Sequence, residues 1–281
     1  MNRRPALFVP SVLAFGFAFL YLPILSMIGF SFNASRLVTV WDAAHSPTLK
    51  WYAALMQNRQ ILDAARLSVE IALMNATGAL ILGTMAGFAL VRFGQFRARQ
   101  LLMTLTTAPL VLPEIITGLS MLLLFVALQQ WTGWPDRRGV ATITIAHISF
   151  SIAYVAVIIQ ARLTGFDRSL EEAALDLGAT PAQVFRRITL PLIAPALLSG
   201  WLLSFTLSWD DVVISQFVAG PGSSTLPMVI FSKVRLGVSP DINALATLMV
   251  SLVAIGVVSS SLWLQRRDTR RALELRLAQN D

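Results

Sequence analysis

Six apolar runs dominate the chain, at about residues 7–32, 67–91, 101–128, 140–160, 193–218 and 242–264. A helix needs about 20 apolar residues to cross the hydrocarbon of a bilayer. Lipid offers no partner to a backbone N–H or C=O, so a spanning segment must satisfy those groups internally, as a helix does. The runs therefore predict an all-α, polytopic membrane protein with six transmembrane helices. Composition agrees: 13% of the 281 residues are charged, against about a quarter in soluble domains, and the mean hydropathy is +0.68. Arg3 and Arg4 give the first run the look of a signal peptide. It is too long for one and no small-residue cleavage site follows, so it reads as an uncleaved span.

The formal charge is +7, and 20 of the 22 basic residues are arginine. No basic stripe with interleaved aromatics accompanies this excess, which argues against nucleic acid as a partner. In a membrane chain it reports topology instead. Arginines at the two termini and in the loops after the second and fourth spans make up 14 of the 22 basic residues. The positive-inside rule then puts both termini and the loop after the fourth span in the cytoplasm. Cysteine is absent, which removes disulfides, thiolate ligands and a cysteine nucleophile.

Between the spans, residues 33–66 are polar, with Trp41, Trp51 and Tyr52 suited to a headgroup belt and a short amphipathic helix from Leu49 at the outer interface. Gly83 and Gly87 permit close helix packing in the second span. Pro109 and Pro113 each delete a backbone donor, so the third span is expected to kink or unwind. Residues 219–240 read as a Gly/Pro/Ser-rich outer loop. The expected organisation is residues 1–66 as first span and outer loop, 67–265 as the transmembrane core, and 266–281 as a basic tail.

One stretch interrupts this pattern. Ser169 to Pro191, SLEEAALDLGATPAQVFRRITLP, is polar and lies between two spans. Ser169 and Glu172 have capping-box spacing, so a helix is expected from about Leu170. Gly178 can end it in the left-handed conformation. Thr180, Pro181 and Gln183 supply a second cap, a first-turn proline and a second box partner. The result is a helix, a turn and a helix.

Glu172, Ala173, Ala174, then Gly178, Ile188, Leu190 and Pro191, reproduce the spacing EAA-x3-G-x9-I-x-LP. This resembles the EAA motif of membrane subunits of bacterial ABC importers, and the chain as a whole resembles the inner-membrane permease subunits of the putrescine and spermidine branch. The likeness extends over FNASRLVTVW (32–41), residues 107–128, SWDDVVISQFVAGPGSSTLP (208–227) and GVSPDINALATL (237–248). It implies the type I importer fold and a coupling loop, within 162–192, that docks on a cytoplasmic ATPase. It also implies a paralogous permease, two ABC ATPase subunits that bind the ATP and Mg, and a periplasmic polyamine-binding protein. Putrescine is the expected substrate, with spermidine, another small organic cation or a non-transporting scaffold as the alternatives.

The residues add their own support. The only lysines, Lys50 and Lys233, sit in no Gly-rich phosphate loop, so the chain itself has no ATPase site and any energy comes from another polypeptide. With two histidines and no His-Glu-x-x-His stretch, neither a metal site nor an enzyme is expected. Carboxylates inside spans are costly and mark pathways. Glu114 lies in the third span and Asp210 and Asp211 in the fifth, about 20 and 26 Å up from the cytoplasmic end. Asp210 or Asp211, with Glu114 and the neighbouring Trp209, is therefore expected to line a cation route. The alternative is that one of these acids caps a broken span or pairs with a basic residue. His147 reads as a hydrogen-bonded packing residue, since no second ligand stands three or four residues on.

Overall fold

The computed structural model describes residues 8–37, 40–237, 239–256 and 258–259. Arg3, Arg4, the expected basic tail from residue 266 and the end of the sixth span lie outside them. Every regular element among the described residues is helical. Five helices are long and apolar enough to cross a membrane, and Pro240–Gly256 is a shorter apolar one. The chain divides into two compact units, residues 1–59 with 232–281, and residues 60–231.

In the first unit α1, Phe8–Ser31, contains no charged residue. Nearly all its side chains are exposed, as an all-apolar helix in lipid requires. The turn after it is knotted around Asn33. Its amide donates to the Val40 carbonyl at 2.7 Å, its Oδ1 accepts from the Asp42 N–H at 3.0 Å, and its carbonyl accepts from Trp51 Nε1 at 2.7 Å. Tyr52 shares a 2.6 Å hydrogen bond with Ser31. Trp51 and Tyr52 thus brace the loop from α2, Lys50–Gln57. In the same unit α12, Pro240–Gly256, is pinned near its start by Lys233 to Asp241 at 2.8 Å.

The second unit is built on α3, Arg59–Arg92, and α6, Val140–Thr164. Helix α3 begins eight residues before the apolar run, because the polar residues 59–66 continue the helix in register. Gly83 and Gly87 let the two backbones meet. A Cβ on Gly83 would lie 2.6 Å from Val155 Cβ, and one on Gly87 would lie 2.9 Å from the Ala156 carbonyl. The third apolar run is two helices, α4, Arg99–Val111, and α5, Glu114–Thr132. Pro109 is tolerated inside α4; the break falls at Leu112 and Pro113, both extended. A proline disfavours the helical conformation of the residue before it, which places the break there.

After α7, Ser169–Asp176, one helix runs from Pro181 to Trp209. It consists of α8, Pro181–Val184, a π-helical segment, Phe185–Thr189, and α9, Leu190–Trp209. The expected fifth span to Val218 is interrupted: α9 stops at Trp209 and a separate α10, Val213–Val218, follows. The expected outer loop 219–240 is also shorter, since α11 occupies Leu226–Leu236. The apolar and weakly turn-forming run PMVIFSKV carries that helix once the Gly220–Ser224 turn has ended.

Two apolar clusters hold the second unit. One joins Ile71, Phe125, Ile143, Phe150, Ile214 and Val218, and the other joins Ala79, Val155, Ile159, Leu163 and Ile193. Between them lies a polar layer in which Asn75 Nδ2 donates to the Ser204 carbonyl at 2.7 Å and to Ser151 at 3.2 Å. This buried amide ties α3, α6 and α9 at one level.

Candidate functional site

The stretch that breaks the membrane pattern folds as two helices around a tight reversal. The N-terminal cap of α7 differs from the expected box. Asp167 Oδ1 accepts from the Ser169 N–H at 2.9 Å, so Ser169 and Glu172 do not pair as a box and the helix starts at Ser169. That N–H holds the Asp167 carboxyl below the usual aspartate range. Proximity decides it: an aspartate two residues upstream reaches this donor in a local turn. The reversal is as expected. Gly178 has φ of 85°, the Ala179 N–H returns to the Ala174 carbonyl at 3.0 Å, and the Gly178 N–H returns to Leu175 at 2.9 Å. These are the two bonds of a Schellman end. Thr180 and Gln183 form the second capping box, with Pro181 at the first helical position.

Helix α7 leaves a surface free. Leu170, Glu172, Ala173 and Leu177 are exposed, and Ala174 is half-buried. Glu172 forms no ion pair among the described residues. Its neighbour Glu171 does: Arg92, at the end of α3, meets it at 3.0 Å. Ile188 falls in the π segment, and Leu190 and Pro191 open α9. Pro191 has no N–H to give the preceding turn, and a wider turn just before it relieves the clash of its ring with the carbonyl four residues back.

The acidic residues sit at breaks in the apolar helices, where the sequence had placed the aspartates within one. Asp211 is buried, its side chain 7% exposed, and it caps α10: its carboxylate accepts from the Ser215 N–H at 2.7 Å and the Ile214 N–H at 3.2 Å. His147 on α6 bonds Asp211 at 3.1 Å through Nε2 and Ser208 at 2.7 Å through Nδ1. Asp211 therefore takes the alternative role of capping a broken span. His147 is the packing residue its sequence context implied, bridging α6, α9 and α10. Among the described residues no group of acids and histidines has the spacing of a metal site.

Asp210 is different. It is exposed and takes part in no ion pair among the described residues. It stands at the C-terminus of α9, where unpaired carbonyls carry partial negative charge. Glu114 is exposed too, in the first turn of α5. One turn on, a Cβ at Gly118 would touch Phe217 at 2.7 Å and Ile214 at 3.3 Å, so α5 packs on α10. From the loop after α5, Arg138 donates to the Phe217 carbonyl of α10 at 3.3 Å. Glu114 opens α5, and Asp210 ends α9 three residues before α10 begins. Trp209 lies in a near-parallel ladder with Phe205 and Trp201, centroids 6.1 and 5.6 Å apart. Sequence reasoning missed Glu171, Arg92, Thr189 and Ser208, whose roles arise from contacts across long separations.

Residues 79–272 match the family of binding-protein-dependent transport system inner membrane components. The putrescine transport system permease protein PotI of Escherichia coli (strain K12) is 51% identical over 283 residues, covering 99% of both chains. The spermidine/putrescine transport system permease protein PotC of the same organism is 41% identical over 246 residues, covering 88% of this chain and 89% of that one. Among solved structures, a bacterial ABC transporter involved in the import of the acidic polysaccharide alginate superposes with a TM-score of 0.68 at 18% identity, covering 91% of this chain and 94% of that one. The fold is that of ABC importer permeases, and the chain is a membrane-embedded transport component rather than an enzyme. Its helices, its sequence and its relatives together make it a member of the binding-protein-dependent transport system inner membrane component family.

Proposed function

We propose that the chain is the permease of an ATP-driven importer of a polyamine, putrescine first, with Asp210 as the carboxylate that meets the cation. The observation that carries the substrate class is the likeness to a putrescine permease along the whole chain. The break after α9 gives it a chemistry. Asp211 is engaged by two backbone N–H groups and His147. Asp210 sits beside a helix C-terminus, where its charge is uncompensated, and a di-cation satisfies both. Glu114 and the face of Trp209 supply a second charge and a π surface nearby. Asp211 is left as the residue that shapes the break.

In this reading α7 is the coupling helix. Leu170, Ala173 and Leu177 give a small-residue and apolar surface for an ATPase cleft, Glu172 reaches its basic rim, and Gly178 sets the reversal. Two ATPase subunits bind ATP and Mg, a paralogous permease completes the pathway, and a periplasmic polyamine-binding protein delivers substrate. The protein lies in the bacterial inner membrane with both termini and α7 on the cytoplasmic side, and alternating access moves the substrate.

The test is uptake by proteoliposomes holding the complete complex, with radiolabelled putrescine and spermidine in parallel. D210N should lower putrescine uptake about tenfold, the worth of one charged contact, with the complex still assembled. Unchanged uptake in D210N, or uptake of neither polyamine by the wild type, sinks the assignment. Faster spermidine than putrescine transport makes spermidine the substrate.

A further inference from the structure

One carboxylate joins the loop to two membrane helices. Arg92 Nη2 donates to Glu171 Oε1 at 3.0 Å, and Thr189 Oγ1 donates to the same oxygen at 2.5 Å. The side chains of Arg92 and Glu171 are 10% and 17% exposed. The Arg92 guanidinium also lies over the rings of Phe88 and Phe166, at 5.9 and 5.5 Å. Arg168, just before α7, donates to the Val91 carbonyl at 3.3 Å. The end of α3, the first turn of α7 and the last residue of the π segment thus meet at a single oxygen. Glu171 is not one of the motif positions; the motif glutamate, Glu172, is exposed beside it.

The surroundings of this contact explain its use. A cleft of about 650 Å³, lined among others by Phe88, Leu175, Val184 and Phe185, opens beside the pair. Apolar packing between α7 and the helices is incomplete there, so the polar tie carries what packing does not. A buried ion pair adds little net stability against an apolar substitute, and its value lies in fixing one geometry. The helix beyond it has a soft point, since π segments interrupt the regular bonding of an α-helix. A push on α7 that entered only through α8 would meet that segment first.

We propose that Glu171 is the positioning residue that makes α7, the end of α3 and the start of α9 move as one piece, with Arg92 and Thr189 as its two anchors. Displacement of α7 then reaches α3 directly and passes beyond the π segment at Thr189. The proposal rests on the reading of α7 as the helix an ATPase drives.

The experiment uses the complete complex in proteoliposomes and reads putrescine moved per ATP hydrolysed. E171Q should assemble and hydrolyse ATP while the transport ratio falls about tenfold, and T189V should lower it about threefold. R92E and E171R should each fail as E171Q does, and the double charge swap should recover at least half of the ratio. An unchanged ratio in E171Q, or a double swap no better than either single variant, overturns the proposal. If E171Q does not assemble, T189V carries the test, because it removes one hydroxyl and no charge; an unchanged ratio there has the same force. Absence of ATP-driven uptake in the wild type would instead overturn the reading of the chain as a polyamine importer.

Discussion

His147 and Asp211 are 64 residues apart in sequence and 3.1 Å apart in the structure, where the imidazole of α6 steadies the carboxylate that caps α10. The second ring nitrogen is held by Ser208 near the end of α9. The imidazole therefore fixes both sides of the helix break. Replacing it with alanine leaves a buried carboxylate and a hydroxyl short of partners, a loss of about 1–3 kcal/mol. H147A should unfold at a lower temperature than the wild type in detergent, whereas D210N should unfold where the wild type does. Equal stability of H147A and wild type would show that the break holds itself.

Gly178 ends α7 with φ of 85° and has open space around its Cβ position. A valine there meets backbone strain rather than a clash, about 1–2 kcal/mol. G178V should insert and assemble but lose most of its uptake, because the reversal sets the direction of α8. Normal uptake in G178V would separate the reversal from coupling.

Gly83 and Gly87 form the seam between α3 and α6, with less than 3 Å available for a new Cβ. G83L should cost about 1–3 kcal/mol through overpacking. G16L, on α1 with nothing within 4 Å, is the control. Thermal unfolding of the two variants should differ in that order.

Asp167 offers a pH test of the α7 start. Its folded pKa is lowered from the usual 3.8, chiefly by the Ser169 N–H. A lowered carboxylate contributes stability that is present above its unfolded pKa and is lost as the pH falls through the folded value. The cap should therefore be constant between about pH 5 and 9 and weaken only in stronger acid. Protection of the Ser169 amide, taken relative to its intrinsic exchange rate at each pH, should show that profile in the wild type, and D167A should lower the protection throughout the range.

Much of this was legible in the residues. Hydropathy located the apolar helices because lipid demands long uninterrupted helices, and Gly178, Thr180, Pro181 and Gln183 marked the reversal because their preferences are local. Pro113 marked the break in the third run for the same reason. The break at Asp210 was open in the sequence, where two adjacent aspartates could line a route or cap a broken span and no proline chose between them; an Asp211 that finds two N–H groups and a histidine on another helix decides the matter. The spacing gives the cap to Ser169 and the structure gives it to Asp167, two acceptors of similar reach being indistinguishable by spacing alone. Glu171 could not be singled out from Glu172, because only the folded chain brings Arg92 and Thr189 beside it.

The interruptions at Pro113 and Asp210 fall in two neighbouring helical columns that face each other through Gly118 and Ile214. Each column is thereby jointed, like a limb with an elbow. Above the elbows α5 packs on α10 and α10 is held by His147 through Ser215, while below them α9 is tied to α3 and α6 through Asn75. A shift of either lower segment against its upper one would bend the chain at these elbows, so it would be felt first at the two exposed acids there, Glu114 and Asp210.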